Sequence, residues 1–226
     1  MTAMAREGEI RELTIPPVGL GGSLHIPAGA RAVVAFAHGS GSSRFSPRNR
    51  AVAEALNEHG FATLLFDLLT EDEEADRANV FDIPLLAGRL LDAIRFLDND
   101  PFAGGVPLGL FGASTGAAAA RGAPAQAADR VGAVVSRGGR PDLAGAALAQ
   151  VRAPTLLIVG GADTVVIELN EQALAQLPGP KALEIVPGAS HLFPEPGALD
   201  AVIAHAARWF TRYLVAAPTA PEHGRA

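Results

Sequence analysis

Predominantly apolar runs punctuate this chain at residues 32–37, 61–66, 108–111, 131–135 and 155–159, the first of them uninterrupted. A strand that is apolar on both faces must be covered on both, which happens in parallel sheets flanked by helices. The stretches between the runs carry helical spacing, clearest at Leu86, Leu90, Ile94 and Leu97. Alternation of this kind predicts an α/β fold with a doubly wound, mostly parallel sheet. Two strands at 10–15 and 18–26, broken by Pro16-Pro17, precede the first run and read as a half-buried antiparallel pair. A last strand is expected at 182–186. Helices are expected at 46–60, at 81–97, in the Ala-rich stretch after Gly116, at 143–149, at 168–177 and at 199–215. The acidic stretch 70–76 reads as a solvated loop. No internal repeat or long linker divides the chain, so residues 1–226 read as one domain with mobile tails at about 1–8 and 216–226.

Composition removes whole classes of function. There is no cysteine, which excludes disulfides, thiolate metal sites and a thiol nucleophile. The formal net charge of −6 supplies no basic stripe for nucleic acid. No window reaches the length of a membrane span, and residues 1–9 have no signal-like apolar core. A soluble, cytoplasmic protein is the expectation. No cluster has metal-ligand spacing and no cofactor is expected.

In a doubly wound sheet, ligands bind beyond the carboxyl ends of the strands. Four features fall there. The first is Gly112-Ala113-Ser114-Thr115-Gly116, between an apolar run and an Ala-rich stretch. It matches a G-x-S-x-G turn, which lifts a serine hydroxyl off the sheet edge. A serine nucleophile needs a base, and the base needs an orienting acid. Asp163 and His191 follow at the ends of later strands, in the order Ser114, Asp163, His191. The fourth feature is the loop His38-Gly39-Ser40-Gly41 after the first apolar run. The backbone N–H groups of Ser40 and Thr115 are the candidate oxyanion donors. His38 is read as a brace for that loop, and Asp163 as a possible helix cap as well. Arg137 and Arg140, after the 131–135 run, are candidates for binding a substrate carboxylate, with Arg44 and Arg48 raising the same question more weakly.

Taken together, residues 37–41, 111–116, 160–163 and 188–193 make the chain resemble an α/β-hydrolase of the dienelactone hydrolase-like group. The resemblance implies the α/β-hydrolase fold with little or no lid, since only one short helix fits between the 131–135 and 155–159 runs. Dienelactone hydrolases proper carry a cysteine at the elbow, where this chain has Ser114. That departure turns the expectation toward a serine hydrolase of small carboxylic esters working through an acyl-enzyme. A thioesterase or lactonase would use the same groups. A non-catalytic scaffold that binds a small ligand or a partner is the reading from another class, and retention of all three groups speaks against it. The expected partner is a small-molecule ester, with a homodimer left open.

Overall fold

The computed structural model describes residues 8–127 and 129–216. The expected mobile tails lie almost wholly outside these residues. Eight strands form one sheet in the order β1-β2-β4-β3-β5-β6-β7-β8. They are β1 (Glu9–Ile15), β2 (Leu20–Ile26), β3 (Val33–Ala37), β4 (Ala62–Phe66), β5 (Leu108–Ala113), β6 (Val131–Arg137), β7 (Thr155–Gly160) and β8 (Lys181–Val186). The first two pair antiparallel with each other, and β2 pairs antiparallel with β4. All other neighbours are parallel. This is the open, mostly parallel sheet that the apolar runs predict.

The side-chain period of two explains why the runs are predominantly apolar. Val33 and Ala35 of β3 face one core, with Leu90, Ile94 and Leu97 of α3 (Ile83–Asp98). Val34 and Phe36 of the same strand face the other core. There they join Val52 and Leu56 of α1 (Pro47–Glu58) and Val202 and Phe210 of α6 (Ala198–Phe210). Each face therefore needs apolar residues. Helix α4 (Thr115–Gln126) lies on the α3 side, contributing Ala119 and Ala120.

Three elements differ from expectation. Residues 71–75 of the acidic stretch form a short helix, α2 (Glu71–Ala75), rather than a loop. Thr70 Oγ1 accepts from the Glu73 N–H at 3.3 Å, and the Glu73 carboxylate accepts from the Thr70 N–H at 3.0 Å. This capping box satisfies two orphan donors, and acidic residues suit a helix N-terminus. Arg89 also pairs with Glu73. Helix α5 (Thr164–Gln176) starts four residues before the expected 168. The expected helix at 143–149 is a 3₁₀ stretch, Pro141–Gln150, interrupted at Gly145 where φ is 50°. No described helix is long and apolar enough to cross a membrane.

Candidate active site

The elbow is built by close backbone approach. Ser114 follows β5 with φ of 50°, a conformation that costs a non-glycine residue energy. Its N–H donates to Arg137 O at 3.2 Å, and its carbonyl accepts from the Ala117 N–H at 3.1 Å. The chain can turn this sharply because Gly112 and Gly116, two positions to either side, lack side chains. A Cβ at Gly116 would stand 2.2 Å from Ala37 O, and one at Gly112 would stand 2.5 Å from Ala117 Cα.

The loops after β7 and β8 are stitched together. Gly161 N–H donates to Val186 O at 2.8 Å and Ala162 N–H to Ala189 O at 2.9 Å. That pairing carries Asp163 to His191. His191 Nδ1 and Asp163 Oδ2 are 2.7 Å apart. Asp163 sits at the N-cap position of α5, but its side chain makes no capping bond. The carboxylate serves the imidazole and not the helix. Glu195 Oε2 accepts from the Ser190 N–H at 3.1 Å; the Ser190 hydroxyl first, then the backbone N–H of Glu195 itself and that of Ser190, hold its carboxyl below the usual carboxylate range. Sequence reasoning had no signal for Glu195, whose part is to fasten the residue before His191.

The Gly39–Ser42 loop lies across the elbow from below β3. A Cβ on Gly39 would meet Ser114 Cβ at 3.0 Å. The Ser40 N–H donates to Thr115 Oγ1 at 2.9 Å. The Ser40 N–H, one of the two expected oxyanion donors, is thus engaged by the Thr115 hydroxyl. His38 braces this loop as expected. Its Nδ1 lies 3.0 Å from Gly39 O, and Nε2 accepts from the Leu68 N–H at 3.0 Å. The two bonds define the neutral tautomer with the proton on Nδ1. Burial lowers the His38 pKa, opposed by its bond to Gly39 and by Asp67 and Glu74.

A cleft of about 540 Å³ opens over the elbow, and its walls include Ser114, His191, Ser40, Arg48 and Arg137, with Phe45 and Leu192 as apolar rim. Arg137 ends β6, next to β5 in the sheet, and is buried. One guanidinium nitrogen, Nη2, donates to Asn49 Oδ1 at 3.3 Å; Nη1 is buried without a partner. Burial, then the charge of Arg48, lowers its pKa to about 10. Arg140 is not among the cleft-lining residues; its N–H donates to Ser114 O at 3.4 Å. Arg44 is drawn away to Asp67. Arg48 is the cleft residue that sequence reasoning weighted too low. The signal was present in Ser46-Pro47-Arg48, a cap and a first-turn proline that put Arg48 on the end of α1. Among the described residues no group of three or more His, Asp or Glu could hold a metal ion.

The chain is similar to several known proteins. Two Mycobacterium tuberculosis proteins, both named as phosphoribosyl transferases, are 57% identical over 209 residues. The match covers 92% of this chain and 47% of theirs, so the chain spans about half the length of the curated relatives it matches. The crystal structure of a dienelactone hydrolase from Anabaena variabilis has 55% identity and a TM-score of 0.88, over 92% of this chain and 98% of that one. A lidless α/β serine hydrolase from Xanthomonas campestris shares the fold with 22% identity and a TM-score of 0.70, over 94% of this chain and 98% of that one. The model of the dienelactone hydrolase family matches residues 20–214, from β2 to the end of the last helical turn. By that match and by the Anabaena relative, the chain belongs to the dienelactone hydrolase family.

Proposed function

We propose that this protein is a serine hydrolase of small carboxylic esters. The observation that carries the reading is Ser114, held at φ of 50° in the same cleft as His191, whose Nδ1 is 2.7 Å from Asp163. With Nδ1 engaged by the carboxylate, Nε2 is the nitrogen left to accept a proton from Ser114. The hydroxyl oxygen adds to the ester carbonyl as its proton passes to His191. The Thr115 N–H, and the Ser40 N–H shared with Thr115 Oγ1, stabilise the oxyanion. The carbon–oxygen bond to the alcohol then breaks, and His191 returns the proton to the departing alkoxide. A water molecule, deprotonated by the same imidazole, hydrolyses the acyl-enzyme and restores Ser114. The open cleft and the exposed rim of Phe45 and Leu192 suit short acyl groups. A lactone would open by the same steps.

Phosphoribosyl transfer, in the name of the M. tuberculosis relatives, belongs to chains about twice this length. The segment shared with them is the one that builds the Ser114 cleft.

The test is cleavage of p-nitrophenyl acetate. Ser114→Ala is expected to lower kcat by about 10⁴-fold or more, and Asp163→Asn by about 10³- to 10⁴-fold, with melting temperatures that still report a folded chain. A fluorophosphonate probe should label wild type at Ser114. Undiminished turnover by folded Ser114→Ala would overturn the reading.

A further inference from the structure

Among the described residues that line it, the Ser114 cleft gathers positive charge without a carboxylate. The walls of the Ser114 cleft carry two guanidinium groups, Arg48 and Arg137, and no Asp or Glu. Arg137 is 7% exposed, has no ion pair, and keeps Nη1 buried without a partner. Arg48 likewise has a buried Nε without a partner. A buried, unpaired cation is costly, and a second cation beside it adds to the cost. Such an arrangement is relieved by an anion that enters the cleft.

The surroundings describe that anion. Ser46, Pro47 and Arg48 bring the N-terminus of α1, a helix of 12 residues, to the same cleft. No acidic residue stands in its first turn. Ser46 Oγ accepts from the Asn49 N–H at 3.5 Å and Ser46 O from the Arg50 N–H at 2.9 Å. The Arg48 N–H is then the first-turn donor with no acceptor inside the helix. Ser42 and Ser43 add hydroxyls on the same wall. A planar carboxylate is satisfied by one guanidinium fork, whereas a tetrahedral dianion takes donors from several directions. The helix end, two arginines and the serines offer that second arrangement.

We propose that the α1 end of the cleft is a subsite for a phosphate monoester, carried by the substrate on the far side of its scissile ester. The words "scissile ester" rest on the serine-hydrolase reading; the phosphate subsite does not. Arg137 would face the phosphate from the cleft wall, its Nη2 staying on Asn49. Phosphate binding would hold the ester carbonyl beside Ser114 and orient it there.

Two measurements separate the proposal from the reading beneath it. The first is calorimetric titration of inorganic phosphate into wild type and Ser114→Ala, which needs no turnover. Both are expected to bind it, and Arg48→Gln and Arg137→Gln to bind at least tenfold more weakly. Because Arg137 is buried, each variant's melting temperature is recorded, and half-buried Arg48→Gln carries the test if Arg137→Gln does not fold. The second is hydrolysis of 1-acetylglycerol against 1-acetylglycerol 3-phosphate and a carboxylate-bearing acetate ester. Wild type should favour the phosphorylated ester by tenfold or more in kcat/KM, and Arg48→Gln should bring that ratio close to one. Wild type that binds no phosphate overturns the subsite, as does a preference that survives both substitutions. Preference for the carboxylate ester overturns the phosphate assignment. Phosphate binding lost in the Arg48 variant, with no ester cleaved by wild type, upholds the subsite and overturns the hydrolase reading alone.

Discussion

Ser114 has a backbone conformation that its own side chain disfavours, and the reason lies in what the turn accomplishes. With φ of 50°, the residue ends β5 and opens α4 in one step, so its hydroxyl stands free of the sheet. The neighbouring bonds hold it there: Ser114 N–H to Arg137 O, and Ala117 N–H to Ser114 O. Glycine adopts this region without the Cβ penalty. Ser114→Gly is therefore expected to be more stable than Ser114→Ala by about 1 kcal/mol, although both lose the hydroxyl. Urea midpoints of the two variants measure the difference. Equal midpoints would mean that the turn is unstrained. Arg137 is the second residue kept at a cost. Among the described residues it has no ion pair; its guanidinium keeps one bond to Asn49, lies 5.9 Å from the centre of the Phe111 ring and lines the cleft.

At the level of elements, contact between α4 and β3 sets the site. The helix must pass so close to β3 that Gly116 has room for hydrogen only, with Ala37 O and His38 O at 2.2 and 2.3 Å from a hypothetical Cβ. Both obstacles are backbone, so they cannot rotate aside. Gly116→Ala is expected to destabilise the fold by about 3 kcal/mol or more, read as a fall in urea midpoint, and to lower ester turnover by shifting the Gly39–Ser42 loop. A loss under 1 kcal/mol would mean that the two elements have slack. Much of this layer was legible beforehand. The two-sided burial of β3, β5, β6 and β7 wrote itself into apolar runs, and the Leu86 to Leu97 spacing marked α3. Helix α2 was not, because a run of charge was weighed ahead of the Thr70–Glu73 capping pair. The start of α5 at Thr164 agrees with Asp163 at the N-cap position rather than with a helix beginning at 168, but the Asp163 carboxylate goes to His191 and caps nothing. The Ser40–Thr115 bond and the buried Arg137 depend on side-chain directions that residue spacing does not encode.

Across the whole molecule, the Gly39–Ser42 loop, the end of β4 and the sheet are tied through one half-buried imidazole. His38 gives its Nδ1 proton to Gly39 O and accepts from the Leu68 N–H at Nε2. Both bonds belong to the neutral ring, since a protonated ring has no acceptor for Leu68. Burial holds its pKa below the usual 6.5, against the pull of the Gly39 bond and the charges of Asp67 and Glu74. The sign of the linkage follows. Above pH 6.5 neither the folded nor the unfolded chain protonates this residue, and its contribution to stability is constant. Below 6.5 the unfolded chain takes up a proton that the folded chain refuses, so stability falls with pH until the folded pKa is reached. Glu73 and Glu195, whose carboxyls are held below their usual 4.5, act in a lower window: their contributions persist down to about that pH and are lost below it. Denaturant unfolding at pH 7.5 and 5.5 therefore isolates the histidine range. Wild type is expected to be less stable at pH 5.5. His38→Gln, which cannot titrate, should be weaker at pH 7.5 and lose less on acidification. If the two proteins lose stability in parallel between pH 7.5 and 5.5, His38 is not the group that couples the Gly39–Ser42 loop to the stability of the whole chain.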